Sequence, residues 1–103
     1  MTPYCVLRPE AEQEFDEALN YYLAHASAKV AERFERAIRE ALDRLVHAPT
    51  RWPVVAAPYI RRSMVQKFPY VLYYIWRPDL ERITIYAVAH TRRNSGYWRG
   101  RVD

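Results

Sequence analysis

Several residue types and patterns are scarce in this 103-residue chain, and each absence excludes a class of protein. The single cysteine, Cys5, cannot form an internal disulfide and cannot supply a cysteine-ligated metal cluster. Neither of the two glycines belongs to a phosphate-binding loop. No apolar run approaches the roughly 20 residues that span a bilayer, and the first residues lack a signal-peptide pattern. We therefore expect a cytoplasmic protein with no membrane span, no metal and no cofactor.

Acidic residues are also missing from the middle of the chain, where none occurs between Asp43 and Asp79. Residues 1–50 hold six lysines and arginines and nine acids, whereas residues 51–103 hold ten and three. The formal net charge of +4 therefore divides into −3 for the first half and +7 for the second. This asymmetry indicates an anionic partner for the second half, although a solvated arginine-rich surface would give the same count.

Hydrophobic periodicity predicts the element order β-α-α-β-β-β within one domain over residues 1–103. The first helix is expected to begin at Pro9, a residue that suits the first helical position, and to end near His25. Ser27 suits the N-cap of a second helix, which is expected to end near His47. The strands are predicted over residues 4–7, 60–67, 70–76 and 82–89.

These elements predict an α+β fold in which a small antiparallel sheet packs against the N-terminal helical hairpin. The connection over residues 48–59 contains three prolines and is expected to be irregular. Because side chains alternate along a strand, the last strand should place one set under the helices, namely Ile83, Ile85, Ala87 and Ala89. Its other face should be open and should carry Thr84, Tyr86, Val88 and His90, joined by Tyr73 or Tyr74.

The last strand leads into the most informative stretch of the sequence, residues 90–101, which holds a histidine, four arginines and two aromatic residues. Arginine forks bind phosphate in a bidentate way, and His90 could transfer a proton near neutral pH. A histidine at a strand end also commonly bonds to the backbone without any catalytic role. Tyr97 and Trp98 have three interpretations: a latch packed on the sheet, contacts to a protein partner, or platforms for nucleobases.

Cleavage of RNA by its own 2′-hydroxyl needs a base, cations that stabilise the pentacoordinate transition state, and an acid. His90 could act as the acid or the base, and the arginines could hold the charge. A clear general base is missing, because the middle of the chain has no carboxylate. We therefore expect the basic surface to bind an anion better than it cuts one.

Five segments follow one another in an order and spacing typical of one family. They are residues 7–12 (LRPEAE), 45–49 (LVHAP), 60–62 (IRR), 68–74 (FPYVLYY) and 83–93 (ITIYAVAHTRR). On the order and spacing of these segments, the chain resembles the RelE/ParE superfamily of toxins from bacterial type II toxin–antitoxin systems, and the resemblance extends over essentially all 103 residues.

The resemblance implies a toxin of a plasmid-stabilisation type module that blocks growth when free. It also implies neutralisation by a cognate antitoxin, whose C-terminal segment wraps the toxin in a hetero-oligomeric complex. ParE-like members poison DNA gyrase, whereas RelE-like members cut mRNA on the ribosome without a metal. Because the catalytic groups here are few, gyrase is the expected target and ribosome-dependent mRNA cleavage is the alternative.

The resemblance, together with the residue chemistry, gives two overlapping sets of candidate site residues. If the protein is a nuclease, the catalytic residues are expected to be His90, Arg61, Arg62, Lys67, Arg92 and Tyr97. The residues expected to bind the target or the antitoxin are Arg61, Arg62, Tyr73, Tyr86, Arg92, Arg93, Tyr97, Trp98 and Arg99. No metal ligands are expected.

Overall fold

The structure, a computed structural model, describes residues 2–94 and 96–102. Its elements are β1 (Tyr4–Leu7), α1 (Pro9–His25), α2 (Ala28–His47), β2 (Val54–Ala56), β3 (Ile60–Met64), β4 (Tyr70–Arg77) and β5 (Arg82–His90). Two single 3₁₀ turns lie at Pro78–Leu80 and Arg99–Arg101.

Both helices begin and end where the sequence predicted. Pro9 is the first residue of α1, a position where a backbone N–H makes no hydrogen bond within the helix. Proline therefore costs the helix no hydrogen bond there. The Ser27 hydroxyl accepts a hydrogen bond from the Val30 N–H at 3.1 Å and so caps α2. Within the residues that the structure describes, neither helix combines the length and the apolar character that crossing a membrane requires.

The five strands form one sheet in the order β1-β5-β4-β3-β2. The predicted α+β fold with its helical hairpin is confirmed, but the sheet is mixed, because β1 pairs with β5 in parallel. The long connection that a parallel pair requires consists here of the helical hairpin followed by β2, β3 and β4. β2 lies inside the connection predicted to be irregular, and its three residues are ordered by pairing with β3.

An aromatic cluster joins the helices to the sheet. Phe34 of α2 is fully buried, and its ring lies 5.8 Å from Phe15 and 5.1 Å from Tyr22, both on α1. On the sheet side it meets Phe68 at 5.3 Å and Tyr70 at 5.2 Å. These offset and edge-on contacts attach the β3–β4 turn to the helical hairpin.

A β-bulge in β5 changes which side chains face the helices. Tyr74 of β4 pairs with Ile85, but the preceding residue Tyr73 pairs with Ala87, which leaves Tyr86 as the extra residue. The alternation therefore reverses after the bulge, and Val88 packs on the helix side. The predicted faces are correct before Tyr86 and wrong after it: Ala87 and Ala89 pack on the far face, together with Tyr86 and Tyr73.

The bulge also moves His90 away from its predicted face. Its ring meets that of Tyr70 edge-on at 5.2 Å, and Tyr70 packs against the core on the helix side. The prediction of His90 on an open aromatic face is therefore wrong. The far face is not open either, because Trp98 from the C-terminal segment covers it.

Candidate functional site

The edge of β5 is left unpaired where β1 ends, and a side chain of α1 covers it. β1 pairs with β5 only as far as Ile85. Beyond that point Glu14 Oε1 accepts a hydrogen bond from the Val88 N–H at 3.1 Å. The Arg101 guanidinium donates to the Tyr86 carbonyl at 3.1 Å. Glu14 and Arg101 therefore satisfy the edge groups that a longer β1 would have paired.

Glu14 is the centre of a polar cluster that holds the C-terminal segment. It is 8% exposed and accepts hydrogen bonds from the Tyr97 hydroxyl at 2.6 Å and from Arg93 Nη1 at 3.2 Å. The two terminal nitrogens of Arg101 donate to its two carboxylate oxygens at 2.8 and 3.3 Å. The buried negative charge is therefore paired and hydrogen-bonded on both oxygens, which is the condition for tolerating a charge in the interior.

The protonation of two cluster members follows from their surroundings. Burial, and then the hydrogen bond and charge of Glu14, raises the pKa of the Tyr97 phenol above its usual value. Burial acts to lower the pKa of Arg101, but its hydrogen bond to Glu14 and the Glu14 charge raise that pKa overall. Tyr97 is therefore a hydrogen-bond donor and Arg101 a cation throughout the physiological pH range. The Arg93 guanidinium also makes a cation–π contact with Tyr97, 3.7 Å from the centroid of its ring.

Trp98 packs on the sheet face that lies away from the helices. It is 2% exposed, and its ring lies 4.7 Å from that of Tyr73 at an interplanar angle of 31°. Tyr73 and Tyr86 beneath it are 7% and 2% exposed, so neither presents a surface to a partner in this arrangement. The latch interpretation is confirmed, and we refer to Tyr97, Trp98 and Arg101 as the C-terminal latch.

His90 borders a groove between the sheet and α1. Its Nδ1 accepts a hydrogen bond from the Arg92 N–H at 3.1 Å, so a neutral ring in this geometry carries its proton on Nε2. The groove has a volume of about 250 Å³ and is also lined by Glu17 and Tyr21. His90 thus makes the backbone contact that the sequence left open as an alternative to catalysis. In the part of the chain that the structure describes, no three His, Cys, Asp or Glu side chains are grouped to hold a metal ion.

The chain matches one protein family over most of its length. The family model described as the ParE toxin of type II toxin-antitoxin system, parDE, matches residues 5–95. The chain belongs to this family. A solved structure titled "Chromosomal ParDE TA system from P. aeruginosa" contains a chain with a TM-score of 0.76 and 13% identity, and the match covers 88% of this chain and 98% of that one. No curated protein matches the chain significantly in sequence. The predicted resemblance to the RelE/ParE superfamily is confirmed, and the structural likeness shows the fold.

In this ParE-family toxin, Arg61 does not converge with His90. The Arg61 guanidinium donates to the carbonyls of Thr50 at 3.1 Å and Trp52 at 2.6 Å, and so holds the α2–β2 connection. Arg61 lies two strands away from His90 and four positions along the sheet. Strand spacing and rise put roughly 16 Å between the two Cα atoms. These two members of the predicted nuclease set therefore cannot act on the same phosphate without a rearrangement.

The remaining predicted site residues are exposed cations at different places on the ParE-family fold. Arg62 lies opposite Tyr73 on the far face, beside the C-terminal latch. Arg99 has its guanidinium 5.3 Å from the centroid of the latch indole. Arg92 follows β5, and Lys67 lies in the β3–β4 turn on the side of α2. The cations thus divide into a rim around the latch and a separate site at α2.

The residue that organises the latch, Glu14, was not among the sequence-predicted site residues. A signal was nevertheless present, because Ala11, Glu14 and Ala18 are spaced three and four residues apart on one buried helix face. A carboxylate between two alanines on such a face needs a cationic partner. The partner Arg101 could not be identified in advance, because it lies 87 residues further along the chain.

Proposed function

We propose that this protein is a toxin that inhibits growth by binding a protein target, DNA gyrase, and that a cognate antitoxin neutralises it. The observation that carries the proposal is that two candidate catalytic side chains form hydrogen bonds that hold the fold together. The Tyr97 hydroxyl is bonded to Glu14, and the Arg61 guanidinium is bonded to two loop carbonyls. Groups held in this way favour a rigid binding surface over a site that transfers protons.

The surface best suited to the target is the cationic rim around the C-terminal latch. Arg62, Arg93 and Arg99 are exposed beside the latch, and Arg92 is exposed just after β5. Trp98 packs on the sheet and holds the latch in place. Arginine is enriched at protein interfaces, and a positive rim speeds association with an acidic partner. We propose these arginines as contacts to the target.

The test is supercoiling by purified gyrase in the presence of the toxin. We expect the parent protein to inhibit supercoiling, and Arg62→Ala and Arg99→Ala to need about tenfold more toxin for the same inhibition. The matched control is Lys29→Ala, because Lys29 is an exposed cation at the start of α2, away from the rim. Unchanged supercoiling with the parent in large excess would refute gyrase as the target.

The alternative function is metal-independent mRNA cleavage on the ribosome, and one observation favours it. The groove beside His90 is lined by Glu17, an exposed carboxylate that could serve as the base missing from the sequence pattern. Primer-extension mapping of mRNA on ribosomes distinguishes the two functions. Cleavage by the parent that is lost in both His90→Ala and Glu17→Gln would replace gyrase binding with RNA cleavage as the activity.

A further inference from the structure

A cationic cleft separates α2 from the β3–β4 turn, on the opposite side of the sheet from Trp98. It has a volume of about 450 Å³, and its charged lining consists of Arg33, Arg36, Lys67 and Glu40. Phe68 contributes an apolar wall. The cleft therefore carries three cations against one carboxylate, at a place remote from the C-terminal latch.

The three cations of this cleft are not neutralised within the fold. Among residues 2–94 and 96–102, no ion pair or side-chain hydrogen bond involves Arg33, Arg36 or Lys67. The helical spacing suggests a pair between Glu32 and Arg36, but the pair that forms on this face is Glu35 with Arg39, at 3.3 Å. Uncompensated like charges around one cleft favour the binding of an anion.

The cleft is preformed, because its turn is anchored in the core. The Phe68 ring lies edge-on to Tyr22 at 5.4 Å and to Phe34 at 5.3 Å. The Val65 N–H donates to the Tyr70 carbonyl at 2.9 Å across the base of the turn. An anion would therefore meet cations whose backbone is already in place, which lowers the entropic cost of binding.

Lys67 occupies a backbone position that does not favour lysine. Its φ is +69°, in the left-handed region where glycine and asparagine are the usual residues. A glycine would adopt this backbone conformation without strain, so lysine carries a conformational cost at this position. Its place in the cleft, beside Arg33 and Arg36, supplies a reason.

The charge pattern of α2 distinguishes between two classes of anion. The exposed surface next to the cleft alternates in sign, with Glu32 and Glu35 beside Arg36 and Arg39. A nucleic acid strand carries a charge on every phosphate and would meet these carboxylates along its path. A peptide can place one or two carboxylates among the cations and an apolar residue against Phe68. The mixed surface therefore fits a protein segment better than a phosphate backbone.

We propose that this α2–turn cleft binds a carboxylate-bearing segment of the antitoxin, at a site separate from the rim proposed for the target. The inference rests on the proposed function in that it takes the antitoxin as the partner. It assigns Arg33, Arg36 and Lys67 to antitoxin capture. The antitoxin can then hold the toxin at α2 whether or not it also covers the latch.

The test uses calorimetry to measure how tightly the full-length toxin and its variants bind the antitoxin, which the family resemblance implies is encoded by the adjacent gene. We expect Arg36→Glu and Lys67→Glu to raise Kd about tenfold or more at about 0.1 M salt, and the difference to shrink at about 0.5 M salt. Arg39→Glu is the matched control, because Arg39 is an exposed α2 arginine outside the cleft, and its Kd should stay within about twofold of the parent.

A second variant separates loss of binding from loss of folding. Lys67→Gly removes the charge and relieves the left-handed backbone, so it should unfold at the same or a higher temperature than the parent while binding the antitoxin more weakly. Stronger or equal binding by Lys67→Gly would overturn the inference. So would Kd values for Arg36→Glu and Lys67→Glu that match the Arg39→Glu control.

Two further results distinguish this inference from the proposed function. If the adjacent gene product fails to bind even the parent toxin, the proposed function is refuted and the inference with it. If a single-stranded RNA of about 12 nucleotides binds the parent and loses affinity in Arg36→Glu, while antitoxin binding is unchanged, the cleft is a nucleic-acid site and the inference alone is overturned.

Discussion

Replacing Glu14 should destabilise this protein far more than replacing an exposed acid of the same helix. Glu14→Ala removes the carboxylate that accepts from the Val88 N–H, the Tyr97 hydroxyl and two arginines. The Arg101 side chain is 17% exposed, so its charge would remain mostly buried without a counter-charge. The Val88 N–H would lose its partner at the edge of β5.

The magnitude follows from these losses. Breaking a buried ion pair from one side costs about 3–5 kcal/mol, and an unpaired buried N–H costs about 1–3 kcal/mol. Arg101 keeps its bond to the Tyr86 carbonyl, and Arg93 is 52% exposed, so both losses are partly relieved. We therefore expect Glu14→Ala to lower the free energy of unfolding by about 3–5 kcal/mol, out of the roughly 5–15 kcal/mol typical of a protein of this size. Glu14→Gln keeps an acceptor oxygen and should cost about 2–3 kcal/mol.

Urea unfolding followed by circular dichroism measures the free energy, and hydrogen exchange at the Val88 amide reports release of the edge. Glu17→Ala is the matched control, because Glu17 is an exposed acid one turn away on α1, and it should change stability by less than about 0.5 kcal/mol. A Glu14→Ala variant as stable as this control would refute the assignment of Glu14 as the organiser of the latch. Glu14→Leu combined with Arg101→Met should recover much of the loss, because no buried charge is then left unpaired.

Three further predictions concern single side chains. Trp98→Ala should cost about 3–5 kcal/mol, because the indole is buried against Tyr73. The folded state raises the pKa of the Tyr97 phenol. The contribution of Tyr97 to the free energy of unfolding is therefore complete below the ordinary phenol pKa of about 10 and is lost as the pH rises beyond that value. Tyr97→Phe should make the fall in unfolding free energy above about pH 10 less steep. Burial raises the pKa of the Cys5 thiol to about 11, so iodoacetamide should label it about 100-fold more slowly at pH 8 in the folded protein than in urea.

Each of these predictions has a result that contradicts it. A Trp98→Ala variant as stable as the parent would mean that packing of the indole on the far face of the sheet does not stabilise the fold. A Tyr97→Phe variant that loses stability above pH 10 as steeply as the parent would assign the decline to other tyrosines, such as Tyr74, whose pKa is raised to about 12 by burial. Equal labelling rates of Cys5 in the folded and unfolded chain would show that the thiol is open to solvent.

The elements defined by short-range signals were predictable from the sequence. Pro9 at a first helical position and Ser27 as an N-cap act within one turn of their own residue, so both helices begin where expected. Strands rich in aromatic and β-branched residues were also located correctly, although β3 ends at Met64 rather than at Lys67. The family resemblance rested on the order of these same local segments and was correct for the same reason.

The two helices, the main strands, the basic second half and the family could all be identified from the order of the residues alone. The parallel pairing of β1, the reversal of sheet faces at Tyr86 and the burial of Trp98 became visible only in the folded chain. The fold also revealed that Glu14, outside the basic half of the chain, organises the latch through partners 74 to 87 residues away. The two groups of features differ in how far apart their interacting residues lie in the sequence. Helix caps and hydrophobic periodicity depend on residues a few positions apart. A β-bulge and a buried ion pair depend on distant residues that meet only when the sheet is complete.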